Sequence, residues 1–115
     1  MQRYTRSIAE LWQFWQPQAK GGLHPMVFTK YEDHQGVFAK LTSLDRDQWA
    51  AAYSAAAAPF EKLAREAEAK GDERAAKDHY FHAYGLYRMA RFPTTNSEGK
   101  HAAYRKSQEM YRAAL

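Results

Sequence analysis

The sequence of 115 residues contains no cysteine, which excludes a disulfide framework and any thiolate nucleophile or ligand. It has no uninterrupted apolar run that approaches the ~20 residues needed to span a bilayer. The first residues are not followed by the apolar core of a secretory signal peptide. The length is that of one domain. We therefore expect a single cytoplasmic domain that does not enter a membrane.

The charges are not segregated by sign. The sequence has 17 Lys and Arg against 13 Asp and Glu, for a net charge of +4, and residues 61–78 interleave both signs. This pattern is typical of a solvated helix face, whereas a nucleic-acid surface concentrates its bases in a stripe. The nearest approach to a stripe consists of Lys100, Arg105, Lys106 and Arg112, and it is interrupted or flanked by Glu109 and Glu98. We therefore expect no nucleic-acid partner.

Sequence motifs of catalysis and cofactor binding are also missing. There is no G-x-S-x-G around a serine, no glycine-rich phosphate loop, and no carboxylate pair in apolar surroundings. His79 and His82 lie three residues apart, but a zinc site needs three or four convergent ligands. We therefore predict no catalytic residue, no metal and no cofactor in this chain. Whether it is part of an enzyme stays open.

Apolar and small residues recur at helical spacing along most of the chain, which predicts an all-α fold. The predicted helices cover residues 5–16, 30–41, 45–70, 72–92 and 96–115. The last three should form an antiparallel, tetratricopeptide-like bundle. A loop over residues 18–29 contains a short apolar plug at 26–28.

Local signals set several helix boundaries. Ser7 opens an S-x-x-E capping box at the start of the first helix, and Pro17 is predicted to end that helix. Thr95 opens a T-x-x-E box before the last helix.

Trp12 and Trp15 share one face of the first helix. Aromatic side chains dominate core burial, so core packing is the favoured interpretation, with a docking anchor as the alternative.

The third predicted helix contains a proline. Its expected packing stripe is spaced 4-3-4-3-4 and consists of Trp49, Tyr53, Ala56, Phe60, Leu63 and Ala67. Because this spacing continues through Pro59 without a phase shift, we predict one continuous, kinked helix rather than two. Gly71 suits a left-handed C-cap, and Asp72 can cap the helix that follows.

The fourth predicted helix has two apolar faces. Its packing seam consists of Ala76, Tyr80, Ala83, Tyr87 and Ala90. Further aromatic residues lie away from that seam, and Gly85 in mid-helix indicates a close contact. Either this helix is central in the bundle or its second face meets another body, and the two interpretations are compatible. In the second interpretation, the aromatic rings of the second face should not be fully enclosed in a monomer.

The predicted partner- or substrate-facing residues are Phe81, Tyr84, Arg88 and Phe92. Arg88 either pairs with an acidic group or is simply solvated.

Two families share parts of this pattern. The segment from Leu63 to Ala83 resembles one tetratricopeptide repeat through Ala64, Gly71-Asp72, Ala76, Tyr80 and Ala83. No second copy follows 34 residues later, and stacked repeats need about three units. We therefore expect tetratricopeptide-like geometry rather than a repeat protein.

The second resemblance covers Trp49 to Leu115. It rests on Gly71-Asp72, on the seam with Phe92-Pro93, and on Lys100, Ala103, Tyr104, Tyr111 and Ala114. This pattern resembles the N-terminal helical region of α/β-hydrolases related to the fermentation-respiration switch esterase and to 2,6-dihydroxypseudooxynicotine hydrolase. The resemblance implies a cap over a serine hydrolase domain that cleaves esters or carbon–carbon bonds beside a ketone.

The catalytic residues of such an enzyme would lie in the domain that follows the cap, so none is assigned here. The implied partner is the α/β-hydrolase catalytic domain of the same longer chain. The alternative is a small helical protein-protein interaction module that binds another protein. A homo-oligomer is also compatible with the sequence.

Overall fold

The computed structural model describes residues 7–93 and 95–115, and no strand occurs within these ranges. The five helices are α1 (Ile8–Gly21), α2 (Tyr31–Lys40), α3 (Arg46–Ala69), α4 (Glu73–Arg91) and α5 (Glu98–Ala114). The all-α prediction with about five helices is confirmed. No helix of the described part of the chain is long and apolar enough to cross a membrane.

Helices α3, α4 and α5 form the predicted antiparallel bundle, with α4 packed between the other two. Every residue of the predicted α4 seam is buried. The hydroxyls of Tyr80 and Tyr87 donate to Glu68 and Glu61 of α3, each at 2.7 Å. The indole N–H of Trp49 donates to a carbonyl of α4 at 2.7 Å. The seam is thus both apolar and hydrogen-bonded, and α4 is the central helix of the bundle.

Helix α3 is continuous through Pro59, as predicted, and spans 24 residues. Its expected stripe is wrong at Leu63, which is 42% exposed, while Ala56, Phe60 and Ala67 are only partly buried against the core. The fully buried small residues are Ala50, Ala57 and Ala64. Each of them lies one residue after a member of the expected stripe, so the stripe marks one edge of the buried face rather than its centre.

Helix α1 has the predicted capping box at Ser7 but ends later than predicted. Ser7 and the residue at N3 form a complete capping box. The predicted start near Thr5 lies outside the described residues. Pro17 does not end the helix, which continues to a left-handed C-cap at Gly22 with φ 63°. The extra turn buries Ala19 in the core, and this packing offsets the hydrogen bond that proline removes. The predicted loop is correspondingly shorter.

Helix α5 begins two residues later than predicted. Ser97, not Thr95, is the N-cap, and its hydroxyl accepts the N–H of Lys100. This register allows the N–H of Gly99 to donate to a carboxylate oxygen of Asp47 at 3.1 Å. Thr95 and Ser97 both carry a hydroxyl that suits an N-cap. The hydrogen bond from Gly99 to Asp47 of α3 favours the helix start that uses Ser97.

The buried stripe of α5 consists of Lys100, Ala103, Ser107, Met110 and Ala114. The ammonium of Lys100 donates to the carbonyl oxygen of Phe92 at 2.9 Å and so satisfies an orphan carbonyl at the end of α4. Burial lowers the pKa of Lys100. Tyr104 and Tyr111 lie beside this stripe and are exposed, because small residues next to them make the close contact with α4.

Helix α2 and the segment before it attach to the bundle through His34, which is completely buried. The hydroxyl of Thr29 donates to the carbonyl of Met26 at 2.9 Å and lies 2.6 Å from Nε2 of His34. Nε2 must then be the donor in that contact, so Nδ1 accepts the hydroxyl of Tyr53 at 2.8 Å. This chain of hydrogen bonds joins the α1–α2 connection to α3.

Candidate docking face on helices α4 and α5

The four predicted facing residues lie on α4 or at its end, and all are partly exposed. Phe81, Tyr84 and Arg88 are brought together beside α5. Phe92 is separate from them, since its ring packs edge-on against Trp15 of α1 at 5.7 Å. No ring among these residues is fully enclosed, which is the condition that a partner-facing surface must meet. Trp15 itself packs against the core, in agreement with the core interpretation of the α1 tryptophans.

An aromatic cluster occupies one end of this face and consists of Phe28, Phe81, Tyr84 and Tyr111. Phe28 stacks on Phe81 with centroids 4.8 Å apart, and Tyr84 lies 5.2 Å from Tyr111. Phe28 is 55% exposed and Tyr111 is 44% exposed. The chain therefore holds the rings against one another but leaves a large part of their surface open to a further contact.

Phe28 holds its ring in place at the cost of backbone strain. Its φ of 63° lies in the left-handed region, which is rare for a bulky residue and costs roughly 1–2 kcal/mol. Sequence reasoning identified residues 26–28 only as an apolar plug and did not assign Phe28 to the facing surface. Strain of this kind persists where the surroundings overdetermine it, and it clusters at functional sites.

Gly85 is the point where the α1–α2 connection meets α4. A Cβ atom at Gly85 would lie 2.5 Å from the carbonyl oxygen of Val27 and 2.8 Å from Cγ2 of Thr29. The close contact predicted from a glycine in mid-helix is confirmed. The chain itself thus covers the middle of the second face of α4, while the neighbouring rings stay partly open. The central position of α4 is thus observed, and the partner-facing interpretation stays a prediction for the rings that remain partly open.

An open pocket of about 330 Å³ adjoins the aromatic cluster between α4 and α5. We call it the arginine pocket. Its lining consists of Tyr84, Arg88, Arg91, Tyr104, Ser107, Gln108, Tyr111 and Arg112. Three of these residues are cationic and none is acidic. Tyr84 and Tyr111 belong to both the cluster and the pocket, so the two features form one continuous surface, the candidate docking face, called the docking face below.

The arginines of the pocket have no carboxylate partner among the described residues. Arg91 lies over the ring of Tyr104 at 5.5 Å, and its buried Nε has no hydrogen-bond partner within the described part of the chain. Arg88 lies 3.3 Å from Nδ1 of His24. Guanidinium groups with unused donors are suited to bind carboxylate or phosphate oxygens, often in bidentate fashion. Only Arg88 among the three was singled out by sequence reasoning.

A second group of charged residues, between α3 and α5, is paired. Glu61 of α3 accepts hydrogen bonds from Lys106 at 2.8 Å, from Arg65 at 2.9 Å and from Tyr87 at 2.7 Å. Burial raises the pKa of Glu61, but these hydrogen bonds outweigh that effect and lower it overall. The cluster joins α3 to α5 and leaves little bonding capacity for a ligand.

His82 of α4 is engaged by side chains of the neighbouring helices. His82 lies 2.6 Å from a carboxylate oxygen of Asp33 and stacks on Phe60 with centroids 3.7 Å apart. Within residues 7–93 and 95–115 there is no group of three or more His, Cys, Asp or Glu arranged to hold a metal ion. His82 instead ties α2 to α4.

No known family model matches the chain, and no curated protein is significantly similar to it in sequence. The likeness to α/β-hydrolase caps therefore rests on the residue pattern of α3, α4 and α5 alone.

Proposed function

We propose that this chain is the helical cap, or lid, of an α/β-hydrolase-type serine hydrolase. The cap covers the catalytic cleft, excludes water from it and shapes the path of the substrate. It contributes apolar and aromatic walls, while the nucleophile, the acid and the histidine belong to the catalytic domain. The docking face of α4 and α5 is the surface turned toward that domain or toward the substrate.

The observation that carries this proposal is the partly open aromatic cluster. Phe28 and Tyr111 expose much of their rings, although the seam of α4 beside them is fully buried. Exposed rings that are already ordered by their neighbours bury area in a contact at a small entropic cost. The seam residues that carry the hydrolase resemblance are buried inside the bundle, which is compatible with a helical cap that is folded before it docks.

Ser107 is a serine that lines the arginine pocket. Its hydroxyl donates to the carbonyl of Tyr104 at 2.7 Å. Within the described part of the chain this hydroxyl has no hydrogen bond to a histidine, the base that would activate a serine nucleophile. The hydroxyl thus serves the local structure of α5, which is compatible with a cap that contributes walls rather than a nucleophile.

A second candidate function is a helical protein–protein interaction module. It is favoured by the combination of exposed tyrosines with three arginines on one surface, since both residue types are enriched in the energetic centres of protein interfaces. In this case the occupant of the docking face would be an independent protein.

The decisive experiment determines the coding sequence after the codon for Leu115 and expresses the complete reading frame. The cap proposal expects a domain of alternating strands and helices with a G-x-S-x-G motif and esterase activity. In that protein, Tyr111→Ser should lower kcat/KM about tenfold through lost docking contacts, while circular dichroism shows that the variant remains folded. Leu63→Ser removes an equally exposed apolar side chain from α3 and should have little effect.

Two results would reject the cap. One is a complete reading frame without a hydrolase domain, combined with capture of a separate protein that Tyr111→Ser abolishes. The other is ester turnover by the 115-residue chain alone that is lost when one of its own serines is replaced.

A further inference from the structure

We propose that the arginine pocket binds a small aromatic anion, namely a single aromatic ring that carries a carboxylate or phosphate group. This inference goes beyond the cap proposal and does not depend on it, because every group involved belongs to α4 and α5. It concerns binding by this chain alone.

The guanidinium groups provide the site for the oxyanion. Arg88, Arg91 and Arg112 line one pocket that contains no acidic residue. Arg88 is partly exposed and Arg112 is exposed, so both are accessible to a ligand from solvent. A planar oxyanion accepts two parallel hydrogen bonds from the fork of an arginine. The Nε of Arg91 is buried and is not reached from the open pocket, so Arg91 contributes its charge rather than that donor.

The tyrosines provide the site for the ring. Tyr84, Tyr104 and Tyr111 line the same pocket, and the rings of Tyr84 and Tyr111 are inclined by 48° to each other. Aromatic pairs favour tilted or offset contacts of this kind, so a ligand ring can extend the existing arrangement. Each lining tyrosine thus offers a ring face or edge close to the arginines.

The pocket is already assembled in the chain itself. The amide of Gln108 donates to the hydroxyl of Tyr104 at 3.2 Å, and the guanidinium of Arg91 lies over the same ring. Groups that are ordered before binding lose less entropy when a ligand arrives. The volume of about 330 Å³ lies near the lower end of the range for small-molecule pockets, which suits one ring with its acidic group.

The test is a calorimetric titration of the 115-residue chain with phenyl phosphate and with benzoate. At least one of them should bind at a single site with a Kd of roughly 1 mM or tighter, and added NaCl should weaken binding. Benzyl alcohol, which lacks the charge, and inorganic phosphate, which lacks the ring, should each bind at least about tenfold more weakly.

Arg112→Gln and Arg88→Gln should each weaken binding of the aromatic anion by about tenfold. Arg74→Gln is the matched control, because it removes the same charge from an exposed position of α4 outside the pocket and should change the Kd less than about twofold. Circular dichroism establishes whether each variant is folded. Because there are two pocket variants, the test can still be completed if one of them fails to fold.

Three outcomes would overturn the proposal. The first is that neither aromatic anion binds saturably. The second is that the pocket variants weaken binding no more than Arg74→Gln does, which would indicate a general charge effect. The third is that a tetraglutamate peptide binds while both aromatic anions fail, which would assign the pocket to an acidic protein partner.

Discussion

His34 is held in its neutral form by its surroundings. It is completely buried, and both ring nitrogens are engaged by hydroxyl groups of Thr29 and Tyr53. Burial lowers the pKa of His34 from 6.5 to about 4, and burial also raises the pKa of Tyr53. The folded chain therefore holds a neutral imidazole in one tautomer at neutral pH.

The stability of the fold should consequently fall as the medium is acidified. Between pH 6.5 and about 4 the unfolded chain protonates His34 while the folded chain does not, so protons favour unfolding in this window. We expect a loss of up to roughly 3 kcal/mol in the free energy of unfolding across it. Urea unfolding followed by circular dichroism at several pH values between 7 and 4.5 measures the slope.

Asp33 adds its own dependence only at lower pH. Burial raises the pKa of Asp33, but hydrogen bonds from His82 and from the N–H of Lys30 outweigh burial and lower it below 3.8. Its contribution to stability is present above that value and is lost below it.

The control for the His34 prediction is His34→Gln. This variant should be less stable at pH 7, but its free energy of unfolding should depend less on pH between 7 and 4.5. An unchanged slope in this variant would contradict the assignment to His34.

At the scale of single elements, α4 is the helix against which the other parts of the chain pack. Its seam contacts α3 and α5, and its middle also receives the α1–α2 connection at Gly85. Glycine lowers intrinsic helix stability by about 1 kcal/mol relative to alanine. The close approach of the Val27 carbonyl explains why this position of α4 has a glycine despite that cost, because a side chain would not fit.

Gly85→Ala should therefore destabilise the protein although alanine favours helices. The new Cβ would meet the Val27 carbonyl oxygen at 2.5 Å, and shifting a backbone segment to accommodate it should cost about 1–3 kcal/mol. Gly36→Ala in α2 is the matched control, since a Cβ there meets nothing within 4 Å. That change should stabilise the protein by about 0.5–1 kcal/mol.

Thermal unfolding of the two alanine variants and the parent chain measures both effects in one experiment. Opposite shifts in melting temperature are the expected result. Equal stabilisation of both variants would show that the connection does not press against α4 in solution.

At the scale of the whole molecule, the described part of the chain is elongated, with extents of 56 × 29 × 21 Å. The bundle of α3, α4 and α5 holds most of the contacts, and α1 has far fewer. Local opening of a protein follows this distribution of packing, because segments with fewer buried contacts open at a lower free energy.

Hydrogen exchange should reflect this difference between elements. We expect amides of α4 to exchange most slowly, near the rate set by global unfolding, and those of α1 to exchange at least about a hundredfold faster through local opening. Mass spectrometry of peptic fragments resolves the two helices. Equal protection of α1 and α4 would mean that the five helices open as one cooperative unit.

Several features of the site were within reach of sequence reasoning and others were not. Tyr84 and Arg88 were identified because they lie off the seam of a long amphipathic helix. Arg91 and Arg112 were missed, because each looks like an ordinary charged residue near a helix end. Only the packing of α5 against α4 brings them into one pocket. Phe28 was missed as a facing residue because its position depends on a contact with Phe81, 53 positions further along the chain.

The sequence by itself determined the number and type of the elements, most of their boundaries and the buried seam of α4. These features depend on local propensity, on capping side chains and on the helical period, all of which act within a few residues. The tertiary structure alone decided that the α1–α2 connection seats on Gly85, that the tyrosines of α5 stay exposed, and that three arginines share one pocket. Each of these depends on contacts between residues far apart in the chain, whose geometry is set by how whole helices pack.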